Sequence, residues 1–279
     1  MEGFDLQSLF NVKGKVALVT GGGAGIGKVM AAALVQNGAK VYIASRNLKT
    51  VQATAAELTL AGPGTCIAIQ ADLSNKAQAE ALASQIAAKE PKLHILINNS
   101  GLAWGASLSD FDEKNGWDQL MAVNVKAVFY LTASLVPLLK AGANGNLEPS
   151  RVINISSIAG TASSAQGPLS RPNSGTWSYA ASKAAVNQLT RVLATTLAND
   201  MITVNAIAPG IFPSGMTKFG ISKAKTLMEE MQPLGRIGIP HDIAGIVLFL
   251  SSPASAHITG VVIPIDGGAS LGYTALSRL

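Results

Sequence analysis

A short apolar run, Val16-Ala17-Leu18-Val19-Thr20, leads directly into Gly21-Gly22-Gly23-Ala24-Gly25-Ile26-Gly27. No other feature restricts the fold so much. The run is rich in β-branched residues and reads as a buried parallel strand. Lys28 to Asn37 reads as the following helix, with Gly38 placed to close it in a C′ position. Glycines let the backbone turn sharply and approach a pyrophosphate, whose charge suits a helix N-terminus. A glycine-rich turn by itself need bind nothing. The strand before it and the helix after it are what point to a nucleotide. Gly21, Gly23, Gly25, Ile26 and Gly27 are therefore candidate cofactor contacts.

The same alternation runs through the chain. Val41 to Ala44, Cys66 to Gln70, His94 to Ile97, Val152 to Ile155, Ile202 to Ile207 and Val261 to Ile263 read as further strands. Helices are expected over 48–60, 77–88, 117–139, 178–198 and 243–250. There is no linker or shift of composition. The expectation is an α/β fold, a Rossmann-type doubly wound parallel sheet of about seven strands with helices on both faces and a ligand at the strands' carboxyl ends. Residues 1–12 are read as an N-terminal extension, 13–268 as the domain and 269–279 as a tail. In the extension, Phe4, Leu6, Leu9 and Phe10 are candidates to pack on the fold.

Composition excludes several classes. Apolar residues make up 48% of the 279 and charged residues 13%, so many segments must be buried on more than one side. The net charge of +5 is spread along the chain. It implies a mild attraction to anionic ligands and no nucleic-acid footprint. Cys66 is the only cysteine, which excludes an intrachain disulfide and a cysteine metal cluster; it reads as a buried filler. His94, His241 and His257 have no metal-ligand spacing, so no metal site is expected. No secretory leader and no membrane span are read, which makes a cytoplasmic enzyme the expectation. The ending Ser277-Arg278-Leu279 differs from the peroxisomal address by one basic-for-basic change, and in a eukaryotic host import and chance remain equal readings.

Tyr179 and Lys183 stand four apart in Trp177-Ser178-Tyr179-Ala180-Ala181-Ser182-Lys183, on one face of an expected helix. A nearby ammonium favours a phenolate and lowers a pKa that is about 10 in free tyrosine. That would give a proton donor usable near neutral pH. Such pairs are common by chance, and this one gains weight from the glycine loop upstream.

With these motifs in order, the sequence resembles the short-chain dehydrogenase/reductase family, in its subgroup of about 250 residues. The similarity runs from Lys13 to Gly268. Thr20-Gly21 with Gly25 and Gly27 matches the cofactor loop. Asp72-Leu73 is similar to the adenine-contacting pair. Asn98-Asn99-Ser100-Gly101 is similar to the family's Asn-Asn-Ala-Gly, with serine for alanine. Asn124, Ser157, Tyr179 and Lys183 match the catalytic tetrad, with Ser156 as a neighbouring alternative to Ser157. Pro209-Gly210 opens the loop that carries nicotinamide contacts, and Phe212 and Ser214 follow it. Asn99, Ser100, Gly101, Pro209, Gly210, Phe212 and Ser214 thus join the cofactor candidates, with Tyr179 and Lys183.

The resemblance implies a chemistry. Ser157 would hold the substrate carbonyl oxygen, and Tyr179 would give it a proton as hydride arrives. Lys183 would depress the Tyr179 pKa and contact the nicotinamide ribose. Asn124, by side chain or backbone, would support a relay water. Positioned proton transfer contributes about 10²–10⁴-fold.

The tip of strand two, Ala44-Ser45-Arg46-Asn47, has no carboxylate to grip a ribose 2′-hydroxyl. Ser45 can donate to a 2′-phosphate and Arg46 can pair with it bidentately. The expected cofactor is NADP(H), with Lys28 as a second phosphate candidate. Leu102, Trp104, Ser157, Phe212 and Met216 are the candidate substrate pocket, with Phe219 and Met231 nearby; Trp177 is left as either pocket wall or core. An apolar pocket implies a hydrophobic carbonyl substrate. A looser resemblance to the 3-oxoacyl reductase-like branch, which includes rhamnolipid-associated members, suggests 3-oxoacyl or β-keto ester reduction; a plain ketone reductase, a non-catalytic NADP-binding scaffold and an enoyl or dienoyl thioester reductase are the alternatives. Ser157 and Tyr179 are 22 positions apart, wider than the family's usual spacing. The extra residues fall in a Gly/Pro/Ser-rich loop over 166–176, expected to overhang the pocket. Family analogy gives a homotetramer, or a dimer.

Overall fold

The computed structural model describes residues 3–167 and 170–271. The Ser277-Arg278-Leu279 ending, and Pro168 and Leu169 of the long loop, lie outside the described residues. One parallel sheet contains β1 Val16–Thr20, β2 Lys40–Ser45, β3 Thr65–Gln70, β4 Ile95–Asn98, β5 Ser150–Ile155, β6 Ile202–Pro209 and β7 Val262–Ile265. The order across the sheet is β3-β2-β1-β4-β5-β6-β7, and every neighbouring pair runs parallel.

β1, β4, β5 and β6 are buried along their whole length. Helices cover both faces, so these strands are largely apolar, with Arg151, Asn154 and Asn205 among the buried polar exceptions. Successive strand residues point to opposite sides. Ala17 and Val19 meet the helices Gly25–Gln36, Leu48–Leu60 and Pro240–Ser251 through Met30, Leu34, Val51 and Val247. Leu18 and Leu96 meet Lys76–Ala87, Ala127–Gly142 and Trp177–Leu197 through Leu82, Leu131, Leu135 and Leu193. Each such side chain contributes about 1.5–3 kcal/mol on burial.

The sheet order reverses direction between β1 and β4. A cleft opens there at the strands' carboxyl ends, as doubly wound sheets require.

Several boundaries differ from the sequence expectation. The helical run expected from Trp117 begins at Glu113, because Asp112 caps it by accepting from the Asn115 and Gly116 N–H groups. It continues to Gly142, includes two π-helical turns, Glu113–Asp118 and Ala122–Lys126, and contains Pro137. By length and composition Glu113–Gly142 is apolar enough to cross a bilayer, with a mean hydropathy of 1.6 over its most apolar window. Here Leu120, Leu131, Leu135 and Leu139 are fully buried in the fold. The helix Pro240–Ser251 starts before the expected Ile243, with Pro240 in its first turn and Asp242 accepting from the Ile239 N–H at 2.9 Å. β6 continues to Pro209, and β7 is shifted to Val262–Ile265.

The segment after Pro209-Gly210, read as a loop, contains the helix Lys218–Glu230. Only Gly220 and Met228 of this helix are buried, and Ala224 breaks it with φ −140° and ψ 32°. In the N-terminal extension, Leu9 is half-buried and the Phe10 ring lies 6.5 Å from that of Phe249. Phe4 and Leu6 stay exposed.

Candidate active site

The glycine loop, the ends of β4 and β5 and the segment after β6 surround a cleft of about 260 Å³. Gly21, Gly25, Ile26, Gly27, Asn99, Gly101, Ser157, Tyr179, Lys183, Pro209, Gly210, Phe212, Ser214 and Met216 all line it. Residues from distant parts of the sequence thus meet at the switch point.

Two glycines are required by geometry. Gly25 has φ +55°, and a Cβ there would point at Ser214 across the cleft at 3.4 Å. A Cβ on Gly27 would overlap the Gly21 carbonyl and the Asn99 carboxamide. That close packing is maintained by Asn99, whose Nδ2 donates to the Thr20 carbonyl at 2.9 Å. The Thr20 hydroxyl in turn accepts from the Asn99 and Ser100 N–H groups at 2.9 and 3.0 Å. The ends of β1 and β4 are therefore tied together beneath the loop.

Asn124 is 1% exposed and sits in the second π-helical turn. Its Oδ1 accepts from the Leu102 N–H at 2.8 Å. Its Nδ2 donates to the Leu102 carbonyl and the Ser182 hydroxyl, both at 3.0 Å. Both Nδ2 hydrogens are engaged, so of the side chain only the second lone pair of Oδ1 stays open to a water, beside the backbone carbonyl.

Ser157 and Tyr179 both line the cleft, where the Ser157 hydroxyl accepts from the Ala159 N–H at 3.2 Å and lies near enough to the phenol to favour its ionised form. Lys183 is 5% exposed; its Nζ donates to the Ile155 carbonyl at 2.8 Å and lies 5.5 Å from the Tyr179 ring centroid. The electrostatics correct the sequence expectation. Burial pushes the Tyr179 pKa above its ordinary value, and the nearby Ser157 hydroxyl opposes this only in part. Burial also brings Lys183 down to about 8.

Ser156, the neighbouring alternative, also borders the cleft, but its hydroxyl is engaged within the fold. It is 2% exposed and donates to Asn187 Oδ1 at 2.6 Å.

The cofactor candidates outside the cleft lie along the same carboxyl edge. Ser45 ends β2 and faces Gly23. Arg46 is exposed and carries no salt bridge among the described residues. Asn47 caps the next helix by accepting from the Thr50 N–H at 3.0 Å. Lys28 is paired with Glu57 at 2.7 Å. Asp72 accepts from the Ser74 N–H, and Leu73 is buried just after β3. Of the substrate-pocket candidates, Phe212 and Met216 line the cleft, whereas Leu102 and Trp104 do not. Trp104 instead packs over Gly116. Trp177 lines a separate apolar hollow with Leu108, Phe111 and Trp117. Its start-of-helix position directs it away from the cleft that Tyr179 enters, since residues two apart do not share a helix face.

The long loop is pinned to the segment after β4 by paired backbone bonds between Ala106 and Gly175. Thr217 was missed by sequence reasoning. It lines the cleft, accepts from the Ser214 N–H at 2.9 Å and donates to the Phe212 carbonyl. The Ser-x-x-Thr spacing is a turn-forming signal that points to it. Among the described residues no cluster of three His, Cys, Asp or Glu is placed to hold a metal.

The cleft fits a dinucleotide: a glycine loop at a helix N-terminus, two positions where a Cβ would intrude, and an open edge leading to an unpaired arginine. Comparison with known proteins agrees. A family model described as enoyl-(acyl carrier protein) reductase matches residues 21–270. The chain is 41% identical over 268 residues to the rhamnolipids biosynthesis 3-oxoacyl-[acyl-carrier-protein] reductase of Pseudomonas aeruginosa, covering 95% of this chain and 100% of that one. It is 35% identical over 260 residues to a 3-oxoacyl-[acyl-carrier-protein] reductase of Thermotoga maritima, covering 92% and 98%. The solved structure of a Pseudomonas aeruginosa RhlG/NADP active-site complex matches with a TM-score of 0.87 and 40% identity, over 97% of this chain and 100% of that one.

Proposed function

The chain belongs to the short-chain dehydrogenase/reductase family, and from that premise we propose that it reduces a hydrophobic ketone or 3-oxoacyl, β-keto ester-like substrate to a secondary alcohol. It is an NADP(H)-dependent oxidoreductase acting on C=O and CH–OH groups. The observation that carries the reading is the meeting of the Ser157 hydroxyl, the Tyr179 phenol and Lys183 in a cleft with an otherwise uncharged lining, beside the glycine loop.

NADPH, when bound, supplies the hydride. The loop from Gly21 to Gly27 would take its pyrophosphate, and Ser45 and Arg46 its 2′-phosphate. The segment from Pro209 to Ser214 would border the nicotinamide. The protein's own part is orientation and proton transfer. The Ser157 hydroxyl donates to the carbonyl oxygen and holds it against Tyr179. The phenol gives up its proton as negative charge develops on that oxygen, and the Lys183 ammonium stabilises the phenolate left behind. The backbone carbonyl of Asn124 supports the water through which Lys183 regains a proton. Phe212 and Met216 make the substrate wall apolar.

The enoyl thioester alternative is less well served. Reducing C=C needs no donor aimed at a carbonyl oxygen that becomes an alcohol, whereas the Ser157–Tyr179 pair supplies one. The intact Tyr179 and Lys183 likewise argue against a non-catalytic scaffold. We take the assembly to be a homotetramer by family analogy; Phe129 on one long helix and Val192 on another remain exposed, and light scattering tests the count. A cytoplasmic location fits the bacterial relatives.

The deciding assay follows NADPH or NADH consumption with a β-keto ester, an aromatic ketone, a diketone and an enoyl thioester. Turnover of the ketones with NADPH supports the reading. Turnover of the enoyl thioester alone, or of nothing, overturns it.

A further inference from the structure

Consecutive residues at the end of β5 meet the helix Trp177–Leu197, two of them through hydrogen bonds. The Ile155 carbonyl accepts from Lys183 Nζ at 2.8 Å. The Ser157 side chain shares the cleft lining with the Tyr179 phenol and lies near enough to favour its ionised form. Between them, the Ser156 hydroxyl donates to Asn187 Oδ1 at 2.6 Å and lies 3.1 Å from the Lys183 carbonyl oxygen. The first two contacts lie in the cleft. The third is sealed: Ser156 is 2% exposed and Asn187 5%.

Asn187 is one helical turn beyond Lys183, so the Ser156 contact spans the turn that begins at Lys183. Close packing surrounds it. A Cβ on Gly160 would overlap the Lys183 carbonyl carbon and approach the Asn187 carboxamide at 2.9 Å. The strand end and helix are therefore in backbone contact here, and one hydroxyl sets the register between them.

Sequence distance makes this contact matter. Ser157 and Tyr179 are separated by 22 positions, and the intervening residues include the long Gly/Pro/Ser-rich loop. That loop cannot transmit the position of one hydroxyl to the other. Through-space contacts must do so.

We propose that Ser156 is a positioning residue for the reductase chemistry, its hydroxyl fixing the height and roll of the helix at Lys183 and Asn187 so that Tyr179 stays opposed to Ser157. The proposal rests on the reductase reading above. Ser156 borders the cleft, but its hydroxyl is committed to Asn187 and the Lys183 carbonyl, and it acts through them. A misplacement on the order of 1 Å at a reacting group costs about a hundredfold in rate, which sets the scale of the expected effect.

The test compares wild type with Ser156→Ala, Ser156→Thr and Asn187→Ala, and needs two readouts. The first is steady-state reduction with NADPH and a β-keto ester, together with NADPH affinity from cofactor fluorescence. Ser156→Ala and Asn187→Ala should lower kcat by about tenfold to a hundredfold. The KM for ketone and the NADPH affinity should stay within about threefold. Ser156→Thr, which keeps the hydroxyl, should recover most of the loss. The double variant Ser156→Ala with Asn187→Ala should cost little more than either alone, because the pair acts as one contact.

The second readout needs no turnover. Ultraviolet tyrosinate absorbance is titrated against pH, with Tyr179→Phe subtracted to isolate the Tyr179 signal. Ser156→Ala should move that midpoint. An unchanged kcat together with an unchanged midpoint overturns the proposal. So does a parallel loss of kcat, NADPH affinity and thermal stability, which marks a general packing defect. Should Ser156→Ala not fold, Asn187→Ala decides by the same criteria. Absence of turnover in wild type would strike the reductase reading, and the Tyr179 titration would still decide whether Ser156 positions the phenol.

Discussion

Lys183 Nζ lies 5.5 Å from the centre of the Tyr179 ring, yet the hydrogen bond it makes is to the Ile155 carbonyl, at 2.8 Å. The pair is poised without being joined. Burial holds the phenol above its ordinary pKa and brings the ammonium down to about 8. The positive charge that would stabilise a phenolate is therefore itself titratable in the working range. Ketone reduction needs Tyr179 protonated and Lys183 charged. The kcat/KM for ketone at saturating NADPH should be flat below about pH 8 and fall about tenfold per unit above it. Lys183→Arg, always charged, should move that limb upward. A profile flat well beyond this range would remove Lys183 from the mechanism.

Tyr179→Phe separates binding from chemistry. Neither the glycine loop nor Arg46 touches the phenol, so NADPH affinity should remain within a few fold. Turnover should fall by about 10²–10⁴-fold, the scale of a lost positioned acid. Fluorescence titration with NADPH and stopped assays on the same preparation check both halves. Unchanged turnover would assign the proton to another group.

Arg46 is the exposed cation at the tip of β2, and Lys28, the other candidate, is already paired with Glu57. Discrimination between NADPH and NADH should therefore rest chiefly on Arg46. Arg46→Ala should raise the KM for NADPH about tenfold to a hundredfold, the loss of one charge-assisted bidentate contact. The KM for NADH should hardly move. Equal effects on both cofactors would place Arg46 outside the phosphate site.

Gly27→Ala asks whether the cradle tolerates a methyl group. The added Cβ would overlap the Gly21 carbonyl and the Asn99 carboxamide, both part of the joint between β1 and β4. Since these are backbone and buried amide atoms, relief requires moving the loop. Overpacking of this kind costs about 1–3 kcal/mol. The variant should show a lower Tm and weakened NADPH binding together, read by thermal melting with and without cofactor.

These residues show what was legible in the chain before its fold was known. The β1–glycine–helix unit was readable because each step is local: an apolar run, a turn needing glycine, a helix closed by Gly38. The tetrad candidates were readable through motif order, and the fold brings Ser157, Tyr179 and Lys183 into one cleft. The protonation balance at Tyr179 was not, because a spacing of four residues conveys the nearness of Lys183 and nothing of the burial that raises the phenol's pKa. The helix Lys218–Glu230 was hidden by Gly220 in its first turn and the break at Ala224, and loop position does not reveal that Gly116 makes room beneath the Trp104 ring. The Ser156–Asn187 contact joins residues 31 apart, beyond any local pattern.

At the opposite edge of the sheet, His94 offers a test of acid stability that leaves the cleft untouched. It is buried before β4, and its Nδ1 accepts from the Val16 N–H at 2.9 Å. Burial, with the positive charges of Lys15 and Lys92, lowers its pKa from 6.5 to about 4. Accepting that bond requires an unprotonated Nδ1, so protonation breaks it. The sign follows from linkage. Between about pH 6.5 and about pH 4 the unfolded chain binds a proton at His94 that the folded chain refuses. Stability must therefore fall as pH falls through that window, and above it the group contributes no slope. His94→Gln places an amide in the same site without a titrating ring. Its urea-unfolding free energy should decline less steeply with pH across the window than wild type, while the two slopes coincide above pH 7. Identical slopes throughout would assign the acid sensitivity to other groups.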